Sequence, residues 1–182
     1  MECPICTTTL EPTTLESSLR ASTCPACGGH FILSSDYLDW RQQHPANLDE
    51  QPDPTPLHES TDTSGAKRCP HCRHLMFRYR VGHDIAFGVD HCGSCNSVWL
   101  DRTEWDSLKR RNLHDDINRM FTDVWQRRVR AAEHRATMHT IYQEKFGAED
   151  YAEAQRVKAW LDAHPQRQAL RAFLTAEDPY SR

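Results

Sequence analysis

The chain has 182 residues, 26% of them charged, and a formal net charge of −4, a length that suits one ordinary domain or two small ones. No apolar run approaches the ~20 residues of a membrane-spanning helix, and Met1-Glu2-Cys3-Pro4 lacks the basic-then-apolar order of a secretory leader. The expected location is the cytoplasm, where thiols stay reduced and repeated cysteines read as metal ligands before disulfides.

Residues 1–40 open with Cys3-Pro-Ile-Cys6 and continue to Cys24-Pro-Ala-Cys27-Gly-Gly-His-Phe-Ile-Leu-Ser-Ser-Asp-Tyr37. Between the two pairs, Leu10 to Arg20 alternates weakly, as a hairpin in which Pro12 is tolerated only at a sheet edge. After the second pair, Phe31-Ile32-Leu33 leads into a helix with Ser34 or Ser35 as the predicted cap and Asp36 in the first turn. Residues 41–67 hold four prolines and few apolar residues. That composition predicts a flexible or partly extended linker, on which the two halves move independently unless the tail clamps them. Through residue 66, ten acids stand against two arginines, a balance of −8.

Residues 68–108 repeat the plan, with Cys69-Pro-His-Cys72 and then Cys92-Gly-Ser-Cys95-Asn-Ser-Val-Trp-Leu-Asp-Arg-Thr-Glu-Trp105. Phe77, Tyr79 and Val81 alternate with Arg78 and Arg80, the period of a half-buried strand. Gly82-His83-Asp84 predicts a turn, and Ile85 to Val89 a return strand. When the second cysteines of the two copies are aligned, Phe31 falls on Trp99, Ile32 on Leu100, Asp36 on Glu104 and Tyr37 on Trp105. Asp101 or Thr103 is the predicted cap of a helix from about Glu104. Trp99 and Phe31 are expected to cover a small metal core; stacking on nucleic-acid bases is the alternative use of such aromatics.

All eight cysteines fall in four C-x-x-C pairs, with 17 residues between the first two pairs and 19 between the last two. Both gaps lie in the zinc range. Two residues between cysteines let one tight turn aim both sulfurs at a point, and two turns complete the tetrahedral shell of Zn²⁺. The repeat groups Cys3, Cys6, Cys24 and Cys27 into one site and Cys69, Cys72, Cys92 and Cys95 into another. Two zinc ions are expected, although four sulfurs also suit iron. Neither site lacks a cysteine, so His71, His74, His83 and His91 are expected in polar roles beside the metals. A closed shell is structural rather than catalytic. It replaces the core that a unit of ~40 residues lacks, so each copy is expected to unfold when stripped of metal.

Cys69-Pro-His-Cys72, the hairpin, and Cys92 through Trp105 resemble the bacterial transcription-factor zinc-finger family, named after the zinc ribbon of general transcription factor IIB. Residues 69–108 follow the family pattern of C-P-x-C, hairpin, C-x-x-C and a W-L-D-R-x-E-L-like run. Residues 3–40 share the cysteines and the acid at Asp36 but carry Phe31-Ile32-Leu33-Ser34 in place of W-L-D-R, which marks a diverged first copy. The resemblance implies metal binding, and implies transcription by its name. The expected fold is α+β, small and metal-stabilised: two Cys₄ zinc ribbons followed by a helical region.

That helical tail is expected over residues 109–182. Ile117, Met120, Phe121 and Val124 share one face, continued by Val129. Met138, Ile141, Tyr142 and Phe146 follow, and Gly147 stops the helix. A helix over about Glu149 to Ala163 comes next, then a last one with Pro165 as its first residue, ended by Pro179. These stripes fit a bundle packing on itself, or a dimer or partner face.

Residues 67–135 hold fourteen Lys and Arg against nine acids, a balance of +5. Arg78 and Arg80, with Arg127, Arg128 and Arg130 beside Trp125, are the candidate contacts to nucleic acid or a partner, although Asp115, Asp116 and Asp123 dilute the field. No Gly-rich phosphate loop, G-x-S-x-G or H-E-x-x-H occurs, and a non-catalytic binding role is expected. The first reading is a zinc module that contacts nucleic acid or the transcription machinery. The second is a protein-interaction adaptor or homodimerising scaffold that uses the helical tail. The third is a thiol switch in which oxidation ejects zinc, a reading that fails if mild peroxide releases none.

Overall fold

The computed structural model describes residues 1–44, 63, 65–83 and 85–180. The chain divides into two compact units, Met1–Arg130 and Ala131–Arg182.

In the first unit each copy contributes three strands. These are β1 (Glu11–Thr14), β2 (Arg20–Thr23) and β3 (His30–Ile32), then β4 (Phe77–Gly82), β5 (Ile85–His91) and β6 (Val98–Leu100). All six join in one sheet of order β1-β2-β3-β6-β5-β4. The copies meet at an antiparallel β3–β6 seam, with His30 opposite Leu100, Phe31 opposite Trp99 and Ile32 opposite Val98. This register is self-complementary. Phe31 pairs with its own counterpart, and the His30–Leu100 pair is mirrored by Ile32–Val98, as across a two-fold axis. The cause is in the strands. Phe31, Ile32, Val98, Trp99 and Leu100 are all buried, so a lone ribbon would present an apolar open edge.

Alternation along the strands gives the sheet two apolar faces. One carries Ile32, Val89, Val98 and Leu100 beneath helices α1 (Ser34–Gln43), α2 (Glu104–Arg110) and α3 (Ile117–Met120). Trp40 of α1 meets Trp105 of α2 edge-on at 6.0 Å. The Tyr37 hydroxyl donates to the His114 carbonyl at 2.9 Å and accepts from the Ile117 N–H at 3.2 Å. Residues 109–120 therefore pack into the core of the ribbons, because Leu113, Ile117 and Met120 supply apolar area that neither short helix provides.

Several local expectations change. Leu33, not Ser34 or Ser35, is the N-cap of α1. Thr103, one of the two expected caps, is the N-cap of α2 at φ +73° but makes no side-chain bond there; the Glu104 carboxyl accepts the Asp101 N–H at 2.7 Å. Phe77, expected to be half-buried, is 61% exposed. Pro12 does lie on an edge strand, β1. Of the stretch read as linker, Arg41–Gln43 belong to α1 and Lys67 is buried, while residues 45–62 and 64 lie outside the described residues, as does Asp84 of the predicted turn.

Helix α4 (Asp123–Phe146) contains the boundary between the units. It ends at Gly147, φ +82°, where glycine costs no strain. The second unit continues with α5 (Ala148–Ala163) and α6 (Arg167–Thr175). Pro165 precedes α6 instead of opening it. No residue of α5 or α6 is buried. Ile141, Tyr142, Phe146, Trp160, Phe173 and Leu174 are all exposed. Among the described residues, no helix is long and apolar enough to cross a membrane.

Candidate metal centres

Each C-x-x-C pair forms the same turn. The residue after the second cysteine has a positive φ in all four: Thr7 at 62°, Gly28 at 77°, Arg73 at 65° and Asn96 at 57°. Its N–H donates back to the first cysteine's carbonyl at 3.0, 2.9, 2.9 and 2.7 Å respectively. The first cysteine's N–H in turn donates to the carbonyl of the residue five positions on, at 2.8–2.9 Å. This double closure points both sulfurs of a pair the same way. It also buries the first cysteine of each pair and leaves the second nearer the surface.

The turns bring the thiols together as the repeat predicts, with Cys3, Cys6, Cys24 and Cys27 in one group and Cys69, Cys72, Cys92 and Cys95 in the other. Within each group the sulfurs lie within 4.8 Å of one another. The closest approaches are 3.4 Å for Cys6–Cys24 and 3.3 Å for Cys72–Cys92. A zinc–sulfur distance of ~2.3 Å implies tetrahedral edges of about 3.8 Å, whereas a disulfide requires ~2.05 Å. The Ile5 and Cys27 N–H groups donate to the Cys3 and Cys24 sulfurs at 3.4 and 3.5 Å, as thiolates held on a cation require. Spacing, donor set and geometry fit two zinc ions.

Both centres share an electrostatic pattern. Burial pushes the thiols of Cys3, Cys27, Cys69 and Cys92 up. The Thr8 hydroxyl brings Cys6 down to about 6, and the His74 backbone N–H brings Cys72 down to about 5. Each centre thus has one thiol that loses its proton readily as a first hold for a cation, and the buried thiols would release theirs to solvent as a metal binds.

The two centres are not separate knobs. Cys3, Cys24, Cys69 and Cys92 belong to one apolar cluster with Leu10, Met76, Phe31 and Trp99. The Phe31–Trp99 pair at the seam is the roof of both, as expected of these aromatics, but a shared one. Trp99 lies so close over Gly29 that a Cβ there would stand 2.2 Å from its Cζ2.

Beside the second centre lies a buried polar group that sequence reasoning missed. Lys67, 2% exposed, donates to Asp90 Oδ2 at 2.6 Å and to the Thr63 carbonyl at 2.9 Å, and stands 3.5 Å from Asp101. Asp101 accepts from Trp99 Nε1 at 2.6 Å and from the Thr63 hydroxyl and N–H at 2.6 and 2.7 Å. Its side chain is therefore spent on the tryptophan and the incoming chain, which explains why it does not cap α2. Burial raises the Glu104 carboxyl to about 8, far above the ordinary carboxyl range. The first copy has Met1, Ser22 and Leu33 at the places of Lys67, Asp90 and Asp101. Comparing the copies beyond their cysteines would have flagged the group.

The remaining candidates are on the surface. Arg78 and Arg80 are exposed on β4, with Arg78 donating to the Thr63 and Gly88 carbonyls at 2.7 and 3.3 Å. Arg127, Arg128 and Arg130 are exposed on α4. The start of α4 docks on β4. Trp125 Nε1 donates to the Val81 carbonyl at 3.0 Å, Gln126 Nε2 to the Arg80 carbonyl at 2.8 Å, and Val129 fills the space above Gly82. The docking joins the first turns of α4 to the end of β4 through the Arg80 and Val81 carbonyls. Among the four histidines, His91 is buried and stacks on Phe121 at 4.0 Å, while His71, His74 and His83 are exposed. None joins a metal group among the described residues.

Residues 2–43 match the model of a family described as transcription factor zinc-finger. The match falls on the copy whose Phe31-Ile32-Leu33-Ser34 departs from the family's run, and the second four-cysteine group fits a further copy. No curated protein and no solved structure matches the chain.

Proposed function

We propose that this chain is a cytoplasmic, non-catalytic zinc-ribbon protein that contacts nucleic acid, as part of or alongside the transcription machinery, through a cationic face on β4 and the first turns of α4. The observation that carries this reading is the docking of Trp125, Gln126 and Val129 on Arg80, Val81 and Gly82. It supports a reading in which Arg127, Arg128 and Arg130 of α4 act together with Arg78 and Arg80 of the strand it docks on. Neither centre has an open coordination position in a four-cysteine shell, which favours scaffolding over metal catalysis. The matched family's description points the same way.

The test is binding of the zinc-loaded chain to labelled single- and double-stranded DNA and RNA at about 50 and 200 mM salt. Five phosphate contacts to B-DNA give a log–log slope of about −4.5, or roughly 500-fold weaker binding over that interval. Reversing Arg80, Arg127, Arg128 and Arg130 to Glu removes most of the slope while zinc content stays unchanged. No binding at the lower salt refutes the reading.

A second reading has its own observation. Residues 131–182 bury no side chain in α5 or α6 and expose Trp160, Phe173 and Leu174. Such apolar surface suits a protein partner or a second copy, and sedimentation of the full chain, with Trp160→Glu as control, separates it from a monomeric module.

A further inference from the structure

A groove of about 520 Å³ lies beside the second metal centre, lined by Arg68, Arg73, His74, Leu75 and Phe77 together with Cys72, Gly93 and Ser94. Its floor is apolar and open: Leu75 is 53% exposed and Phe77 61%. The internal repeat shows whether the ribbon fold itself calls for these residues. The isolated bridge Arg68–Leu75 has its counterpart in Glu2–Thr9, which fixes the equivalence residue by residue. In the first copy the places of Arg68, Arg73, His74, Leu75 and Phe77 are held by Glu2, Thr7, Thr8, Thr9 and Glu11. That copy builds the same turns and the same edge strand with hydroxyls and acids. The leucine, the phenylalanine and the cations are therefore not requirements of folding, and large exposed apolar side chains without a folding role mark contact surfaces.

We infer that this groove binds an acidic peptide segment, with an apolar side chain of the partner over Leu75 and Phe77 and its carboxylates at Arg68 and Arg73. Charge complementarity selects the occupant. Two guanidinium groups border an apolar floor, and Arg73 already meets the exposed carboxylate of Glu2 at 3.5 Å. That pair is weak enough for an incoming acid to replace it. The groove also adjoins β4, an edge of the sheet, where extended peptides lie. A single aromatic beside a leucine is a poor platform for successive nucleotide bases, which require a track of stacking rings and phosphate contacts. This inference is independent of the arginine face proposed above.

The experiment is fluorescence anisotropy on the full zinc-loaded chain. The probe is a fluorescein-labelled peptide with a Leu-Phe centre flanked by Asp and Glu. Its comparators are the same peptide with Lys for the acids, the same with Ala for Leu-Phe, and a labelled oligothymidylate. The variant Leu75→Thr/Phe77→Glu installs the residues that the first copy tolerates, and Arg73→Thr is a second, surface change. The expected result is saturable binding of the acidic apolar peptide, weakened about 10-fold or more by the double variant and by Arg73→Thr, with zinc content unchanged. Absent saturable binding, equal binding of the Lys peptide, or affinity indifferent to both variants overturns the inference. Phe77-dependent binding of the oligothymidylate alone also overturns it and gives the groove to nucleic acid.

Discussion

Replacing Gly29 by alanine interrogates the seam between the copies. The new Cβ would lie 2.2 Å from Trp99 Cζ2 and 2.9 Å from Cη2, so the indole must move. It has little room: Trp99 is fully buried, opposed to Phe31 in register, and bonded to Asp101 at 2.6 Å. Overpacking a filled core costs about 1–3 kcal/mol, and breaking that buried hydrogen bond adds about 1–3 kcal/mol. A loss of about 4 kcal/mol is expected. Zinc binding is coupled to folding, so the same loss appears as roughly 1,000-fold weaker zinc retention. Urea unfolding of the zinc-saturated protein and competition with a chromogenic chelator measure the two effects. Gly93→Ala is the control, because its Cβ meets nothing closer than 3.8 Å, and it should change stability by less than about 0.5 kcal/mol. Trp99→Phe removes the two atoms that clash, so the double variant should cost less than the sum of the single ones. A Gly29→Ala protein as stable as the parent, or strictly additive effects, would show that the copies do not pack as described.

The buried polar group yields two further expectations. The Glu104 carboxyl, raised from 4.5 to about 8 by burial, keeps a proton in the folded state that the unfolded chain has released. Stability should therefore fall as pH rises between about 4.5 and 8, by up to about 1.4 kcal/mol per unit. Glu104→Gln should flatten that slope and raise stability at pH 9; an unchanged slope refutes the assignment. Lys67→Met leaves Asp90 and Asp101 without their shared cation and should cost about 3–5 kcal/mol in urea unfolding, a near-neutral result counting against the ion group. Chelation should release both zinc ions and the sheet in one cooperative transition, followed by circular dichroism and metal release together; two separate steps would contradict a shared apolar cluster.

The metal centres were legible because their rule is local. Two residues between cysteines define a turn, and the spacing of the pairs defines the shell. The hairpin of residues 77–91 was legible from its alternation, and the end of α4 from Gly147. The union of both ribbons in one sheet was not. The apolar runs at Phe31-Ile32 and Val98-Trp99-Leu100 fit a lid over a metal as well as a buried strand, and three-residue strands carry too little periodicity to distinguish the two. The limits of the helical tail were missed for a related reason. The stripe from Ile117 through Val129 reads as one continuing helix face, yet its partner is the sheet, and a stripe does not name what it packs against. Of the two caps expected for α2, Thr103 holds the position, while the Asp101 side chain is taken by Trp99 and Thr63.

The two-fold seam also explains how the copies have come to differ. An isologous pairing asks the same of both partners at the interface: an apolar third strand, a ring at the centre, and a helix over the far face. Phe31 and Trp99 meet that demand, as do Tyr37 and Trp105. Away from the seam nothing enforces likeness, and there the copies part. The second holds Lys67, Asp90 and Asp101 inside and displays Arg68, Arg73, Leu75, Phe77 and Arg80 outside. The first shows Glu2, Thr7, Thr9 and Glu11 at the corresponding surface. Under the proposed function, one copy serves chiefly to close the sheet and complete the shared metal core, which leaves the surface of the other for recognition. A chain with the first copy's surface residues placed on both ribbons should hold its zinc and lose the proposed peptide binding.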